Sequence, residues 1–348
     1  MELLTTKNPM LRSINGKNIG DYRAYLLQTA SEFNIATGFV SSESLVELQR
    51  IADLRKGELS INLFIGMNYL SGFTQLQYKV LERLDEYFRL SKTGNVYVSP
   101  KALFHGKMYS FNDSNGGCIG SFIGSSNLAG FLGVSQNNIE ADIHYAGEEA
   151  SLINKQICSI VHDLGIGFHE ADTPTHFLPP EKNLLKGHAN VKELTTREFD
   201  IISSKCDGTI VEIPLKAGQK YGRSNLNPYF GKGKTKGRYS PRSWYEVELI
   251  IPKHTPNIEL LPDKEGEPIT VVTPEHFSFQ CERQGDSSKN FRSSRDLRIL
   301  GKWIKGEMEN AGVIVCGELV TNETLMSFGK TKIVLKKSAD NYWLISME

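Results

Sequence analysis

The sequence predicts an α/β first domain, a mixed sheet flanked by helices, joined to a mainly β second domain of barrel or sandwich form. Three observations lead there. Segments of helical period alternate with apolar strand-like runs in the first half, short strands separated by turns fill the second, and a Pro-rich polar stretch, "FHEADTPTHFLPPEKN", parts them. A length of 348 residues suits two ordinary domains. The expected division is 1–180 for the first domain, 181–192 for a linker and 193–348 for the second.

The elements follow in chain order. "DYRAYLLQTASEF" has helical spacing and "NIATGFV" reads as a strand; "SSESLVELQRIADLRKG" starts at serine caps and stops at Gly57. "LSINLFIGM" is a buried strand, "FTQLQYKVLERLDEYFRLSKTG" a helix closed by Gly94, and "NVYVSP" another strand. "ALFHGKMYSF" and "GCIGSFIG", with the turn-rich "NDSNG" between them, form a hairpin, "NNIEADIHYAG" a strand and "EEASLINKQICSIVHDLG" a helix. Beyond the linker, "GTIVEIPL", "SWYEVELIIP", "PITVVTP", "HFSFQCER", "TKIVLKK" and "NYWLISM" are the strands of the second domain. Trp244, Trp303 and Trp343 lie in apolar periodic contexts and are expected in the core.

Composition narrows the functional classes. The 39% hydrophobic and 23% charged fractions are those of a soluble protein, and the apolar runs fall far short of a membrane span. The first residues lack the basic start, apolar stretch and cleavage site of a secretory signal, so the cytoplasm is the expected location. The five cysteines are scattered, form no CxxC pair or zinc pattern, and read as free buried thiols.

A net charge of zero conceals an asymmetry. Residues 1–200 hold 18 Lys and Arg against 22 Asp and Glu, whereas residues 201–348 hold 22 against 18. The stretch Lys216 to Arg242 has eight basic residues and no acidic one, interleaved with Gly, Asn and Tyr; Arg283 to Lys305 has seven basic and two acidic. Two such runs in one region suit loops that meet a polyanion.

The chemistry-bearing motif is "HGK" at 105–107, followed by "GSSN" at 124–127. In an extended strand residues two apart share a face, so His105 and Lys107 are expected side by side. The partner strand runs out into Ser125, Ser126 and Asn127, whose hydroxyl, amide and backbone donors, with the lysine, suit a phosphate. In this ordered combination the sequence resembles the phospholipase D superfamily, whose signature is HxK followed by GSxN. The family's Asp five residues after the lysine is replaced here by Asn112. The resemblance implies His105 as the nucleophile on a phosphodiester and Lys107, Ser125 and Asn127 as donors to the non-bridging oxygens. It also implies a carboxylate that orients the histidine, for which Glu140 is favoured over Asp142. No second HxK occurs, so the resemblance implies a homodimer in which each chain supplies one His105 to a shared site, with no metal and no other cofactor in this chain.

The second half decides the substrate. "QGDSSKNFRSSRDLRILGKWIKGEMENAG" and "TNETLMSFGKTKIVLKK" look like the C-terminal region of NgoFVII-type restriction endonucleases, and the resemblance covers essentially the whole chain. It implies a B3-like pseudobarrel with two arms in the major groove of double-stranded DNA, the two basic stretches lying where the arms should be. Candidates for reading base edges are Arg223, Asn225 and Asn227 in the first arm, and Gln284, Asp286, Asn290 and Arg292 in the second. Lys232, Lys234, Lys236 and Lys289 are expected on phosphates. The expected function is a site-specific, metal-independent restriction endonuclease. No Walker A motif occurs, so any ATP requirement falls to a separately encoded ATPase or helicase-like subunit. The alternatives are a phospholipase or other phosphodiesterase of the superfamily, or a DNA-binding protein that does not cut.

Overall fold

The computed structural model describes residues 1–6, 18–134, 138–180, 183–217, 225–231, 242–338 and 341–348. The chain divides into two compact units, Met1–Pro180 and Glu181–Glu348.

In the first unit the strands are β1 (Glu2–Thr5), β2 (Glu32–Thr37), β3 (Ser60–Ile65), β4 (Gly94–Val98), β5 (Lys107–Asn112), β6 (Cys118–Gly124), β7 (Ala141–Tyr145) and β8 (Ile166–Gly167). They form one sheet in the order β1-β7-β6-β5-β2-β3-β4-β8, with β2, β3 and β4 parallel and the remaining pairs antiparallel. The helices are α1 (Ile19–Thr29), α2 (Ser42–Leu54), α3 (Asn68–Ser71), α4 (Gln75–Ser91), α5 (Leu128–Phe131) and α6 (Glu148–Leu164). Ser41 and Thr74 start α2 and α4 with reciprocal capping boxes; the serine is the cap signal of the sequence, and the threonine is found in the structure. Helix α6 lies across β5, β6 and β2, and Ile153 and Ile157 bury against Ala36 and Phe64. All of β2 after Glu32 is buried, as a central strand covered on both faces requires.

A polar row crosses this sheet from the buried Asn34 out to the exposed Asn95. Asn34, Asn62 and Asn95 are register partners on β2, β3 and β4. Asn95 donates to Asn62 (2.9 Å), Asn62 donates to Asn34 (2.8 Å), and Asn34 donates to Glu32 (3.0 Å). Asn112, standing where the superfamily signature has an aspartate, donates to the same Glu32 carboxylate at 2.5 Å.

The second unit is built on β9 (Lys192–Glu193), β10 (Ile210–Pro214), β11 (Leu249–Ile250), β12 (Ile269–Val272), β13 (Phe277–Gln284), β14 (Asn290–Ser293), β15 (Lys332–Lys337) and β16 (Tyr342–Met347). Their order is β10-β15-β16-β12-β13-β14-β11, with β9 paired to β13. The end strands β10 and β11 approach each other, so the sheet is a nearly closed barrel. The helices are α7 (Thr196–Ser203), α8 (Ile299–Asn310) and α9 (Asn322–Phe328). Trp244, Trp303 and Trp343 are all buried. Over its described part, the segment expected to link the domains is packed instead: Leu185 is fully buried, and buried His188 meets Asp296 at 3.3 Å. Among the cysteines, Cys281 and Cys316 are buried but Cys158 is exposed on α6.

Candidate active site and nucleic-acid interface

Lys107 opens β5, in register with Thr37 at the end of β2. His105 lies before the strand rather than on it and is exposed, so the expected pairing on one strand face is corrected. The two side chains meet because Lys107 reaches back. Its Nζ donates to the His105 carbonyl at 2.7 Å and lies 3.0 Å from Nε2 and 3.1 Å from Nδ1 of the ring. Lys107 itself is buried, which lowers its pKa, while the charge of Glu140 acts in the opposite direction. The His105 ring stands edge-on to Phe39 at 5.8 Å, and the Phe39 amide donates to Asn127 Oδ1 at 3.2 Å. That bond fixes the Asn127 side chain through its oxygen. Its amide NH2 has no partner among the described residues and is available to a ligand.

The GSSN turn is shaped from behind. A Cβ on Gly124 would sit 2.0 Å from Asp142 Oδ1 and 2.4 Å from the Ala141 carbonyl, so only glycine admits this approach of β6 to β7. Asp142 then holds the turn, accepting from the Ser126 amide at 3.2 Å and from the Ser126 hydroxyl. Its burial pushes the carboxyl up, and the hydrogen bonds from Ser126 counter that shift. Tyr109 closes the same turn, donating to the Ser126 carbonyl at 2.6 Å. Ser126, grouped with Ser125 and Asn127 as a phosphate donor in the sequence, is instead a buried structural member whose hydroxyl is held by Asp142, and the exposed Ser125 is the serine that faces outward.

Of the two acidic candidates, Asp142 is committed to this turn and Glu140 is not. Glu140 precedes β7 and packs over Gly130 of α5, where a glycine Cβ would lie 3.3 Å from Glu140 Cγ; its carboxylate accepts from the Ser125 hydroxyl. Neither ring nitrogen of His105 meets a carboxylate among the described residues. The orienting contact expected of Glu140 is thus not made; its carboxylate is taken by the Ser125 hydroxyl instead. The structure sets Lys107 against the His105 ring, ties Asn127 to Phe39 beside that ring, and pairs Ser125 with Glu140, whose charge acts on Lys107. An anionic tetrahedral group suits that set.

The DNA-reading candidates fare differently. Arg223, Lys232, Lys234 and Lys236 lie outside the described residues. Asn227 is 1% exposed, and its amide is consumed by the backbone, donating to the carbonyls of Ala217 and Val320 (2.8 Å) and accepting from the Val320 amide at 3.0 Å. Asn225 is buried in a left-handed turn, its backbone bridged to Glu248 in both directions and its side chain accepting from Ile250. Both asparagines pin the first basic stretch to the barrel, which corrects their expected role at base edges. Arg292 is likewise held, 3.1 Å from Glu282 and 3.2 Å from Glu248. The second hairpin does present Asp286 and Lys289 as exposed side chains and Gln284 and Asn290 as half-buried ones, so these four remain accessible to a partner.

Similarity to known proteins adds to this geometry. The model of the NgoFVII restriction endonuclease N-terminal PLD domain matches residues 17–169, and that of the NgoFVII C-terminal B3-like DNA-binding domain matches residues 201–339. No curated protein matches the chain. Among solved structures, a phospholipase D family member, Nuc from Salmonella typhimurium, superposes with a TM-score of 0.30 at 12% identity, covering 48% of this chain and 97% of its own. TrmBL2, an archaeal chromatin protein described as showing a novel mode of DNA binding, gives a TM-score of 0.29 at 12% identity over 47% of this chain. The match takes in 53% of TrmBL2, so the chain spans about half the length of that relative.

Proposed function

Since the chain belongs to the NgoFVII-type restriction endonucleases, with a PLD nuclease domain followed by a B3-like DNA-binding domain, and is an endonuclease, we propose that it cuts double-stranded DNA at a specific site through a phosphohistidine intermediate in a homodimer. The observation that carries this reading is the Lys107 ammonium set against the His105 ring, beside an Asn127 amide with donors to spare.

In this mechanism a neutral ring nitrogen of His105 attacks the phosphorus and the bond to the leaving oxygen breaks. Lys107, Asn127 and Ser125 stabilise charge on the non-bridging oxygens as it develops. A bound phosphate favours the charged form of Lys107, opposing the effect of its burial. The leaving oxygen takes its proton from His105 of a second copy of the chain. That imidazole, now neutral, removes a proton from water, and the resulting hydroxide cleaves the phosphorus–nitrogen bond to release the enzyme. Two copies are required because the sequence contains one HxK motif. The positive charge that a divalent metal supplies to other nucleases comes here from Lys107 and the second imidazolium. The B3-like unit selects the site, as one half of a cytoplasmic restriction–modification system, and any ATP requirement is met by a separate ATPase subunit.

Incubation of the full chain with plasmid in excess EDTA is expected to give discrete fragments, and His105→Ala to reduce cleavage by about 10³-fold or more. Loss of cutting on chelation would contradict the mechanism. A smear in place of fragments would remove site specificity, and a retarded band without cutting would indicate a binding protein.

A further inference from the structure

The second unit carries a cavity of about 380 Å³ that the nuclease reading leaves unused. Its floor is a row of register partners across three neighbouring strands: Tyr342 on β16 pairs with Thr270 on β12, which pairs with Gln280 on β13. Asn190 and Lys192 form one wall, with Lys192 backbone-paired to Ser278; Ser294 and Arg295 form the other, where the chain leaves β14 for α8. The lining contains two cations and no carboxylate. Lys192 is engaged by Glu198 at 2.7 Å, whereas exposed Arg295 has no partner among the described residues. The side-chain amides of Gln280 and Asn190 are unpartnered there too, and the Ser294 hydroxyl is buried without a hydrogen bond.

Each feature selects for the same chemistry. An unpaired guanidinium in a lining without a carboxylate favours an anion, and a phosphate matches the planar fork of arginine. Amides are the side chains that bond the edges of a heterocyclic base through one donor and one acceptor. The ring of Tyr342, 37% exposed, offers a stacking surface. The volume falls within the range of small-ligand sites. We infer that this cavity binds a single nucleotide unit, its phosphate at Arg295 and Lys192 and its base between Tyr342 and the amides of Gln280 and Asn190. The unit can come from two sources, a free mononucleotide or a nucleotide turned out of the duplex. Only the second source rests on the DNA-cutting reading above.

The test uses the full chain and has two arms. In the first, calorimetric titration with the four deoxynucleoside 5′-monophosphates is compared with deoxyribose 5-phosphate. Saturable binding of at least one nucleotide, much weaker binding of the base-free sugar phosphate, and about tenfold weaker binding in both Arg295→Ala and Gln280→Ala support the site. In the second arm, His105→Ala protein is bound to the duplex that plasmid cleavage identifies, with 2-aminopurine placed at each position in turn. A fluorescence rise at one position, lost in Gln280→Ala, assigns the source to DNA, while nucleotide binding without such a rise assigns it to a free nucleotide. Absence of both signals, or nucleotide binding indifferent to both substitutions, overturns the site. The first arm needs no cleavage, so it can succeed where the nuclease reading fails, and the reverse. Unchanged melting temperatures show that the variants fold.

Discussion

Asn112 shows how a single atom decides what a motif position can hold. The superfamily signature calls for an aspartate there, but the Asn112 amide donates to Glu32 at 2.5 Å, and its own buried carbonyl oxygen has no partner. An aspartate would lose the donor and set a second carboxylate against the first. Asn112→Asp, nominally a return to the signature, is therefore expected to destabilise the first unit by about 1–3 kcal/mol. Far-UV circular dichroism during urea unfolding measures this, and Glu32→Gln in the same chain should restore most of the loss, because a neutral amide can donate to the introduced carboxylate. A variant as stable as wild type would show that the pair carries no such constraint. The juxtaposition of His105, Lys107 and Asn127 was legible at this scale because HGK and GSSN are local words whose spacing survives in sequence. The fate of Glu140 was not: its carboxylate is taken by the hydroxyl of Ser125, fifteen residues earlier, and no pattern along the chain announces that contact.

Between elements, the organising residue of the second unit is Glu248. Its backbone bridges Asn225, within the first basic stretch, and its carboxylate meets Arg242, at the end of that stretch, at 3.1 Å. The same carboxylate meets Arg292 on β14, which also meets Glu282 on β13, the two strands that carry the second hairpin. Arg242 binds Glu246 as well, at 2.6 Å. These side chains are mostly buried, so the charges act on one another with little screening. Glu248→Ala is expected to leave Arg292 and Arg242 each with one partner fewer, and to loosen the base of the β13–β14 hairpin together with the anchor points of the first basic stretch at Asn225 and Arg242. Discrimination between cognate and scrambled duplexes should fall by roughly 1–3 kcal/mol, measured by fluorescence anisotropy, while binding to scrambled DNA, held by phosphate contacts, changes little. Equal losses on both duplexes would indicate that the network only supports the fold. Residue type alone assigns Arg292, Asn225 and Asn227 to base edges, because it does not reveal whether a side chain is already occupied. Apolar periods locate the long strands and pass over β9 and β14, whose short runs "KE" and "NFRS" are made strands by their partners on β13.

For the molecule as a whole, stability belongs to two units, and one fluorophore type separates them. All three tryptophans lie in the second unit, so their emission follows that unit alone. There Lys305 on α8 is fully buried, its ammonium 4.3 Å over the Trp244 ring and donating to the Trp244 carbonyl. Burial lowers its pKa to about 7, against the smaller opposing influence of Cys316, Glu309 and Glu246. Unfolding returns the lysine to a pKa of about 10.4, so between these values the unfolded chain binds a proton that the folded chain does not, and stability must rise with pH. The slope contributed by Lys305 approaches about 1.4 kcal/mol per pH unit above pH 7. A counter-term enters near the ordinary thiol pKa of about 8.5: Cys281, held neutral by burial, ionises only on unfolding, and stability then falls as pH increases. Urea unfolding followed by tryptophan emission is therefore expected to show the second unit gaining stability from pH 7 to about 8.5 and levelling above it. Lys305→Met removes the charge while keeping an unbranched apolar stem. It should abolish the rise, with its largest advantage over wild type at about pH 6 and below, where the buried ammonium is charged in both states and its desolvation opposes folding. A parallel rise in the methionine variant would place the titration elsewhere.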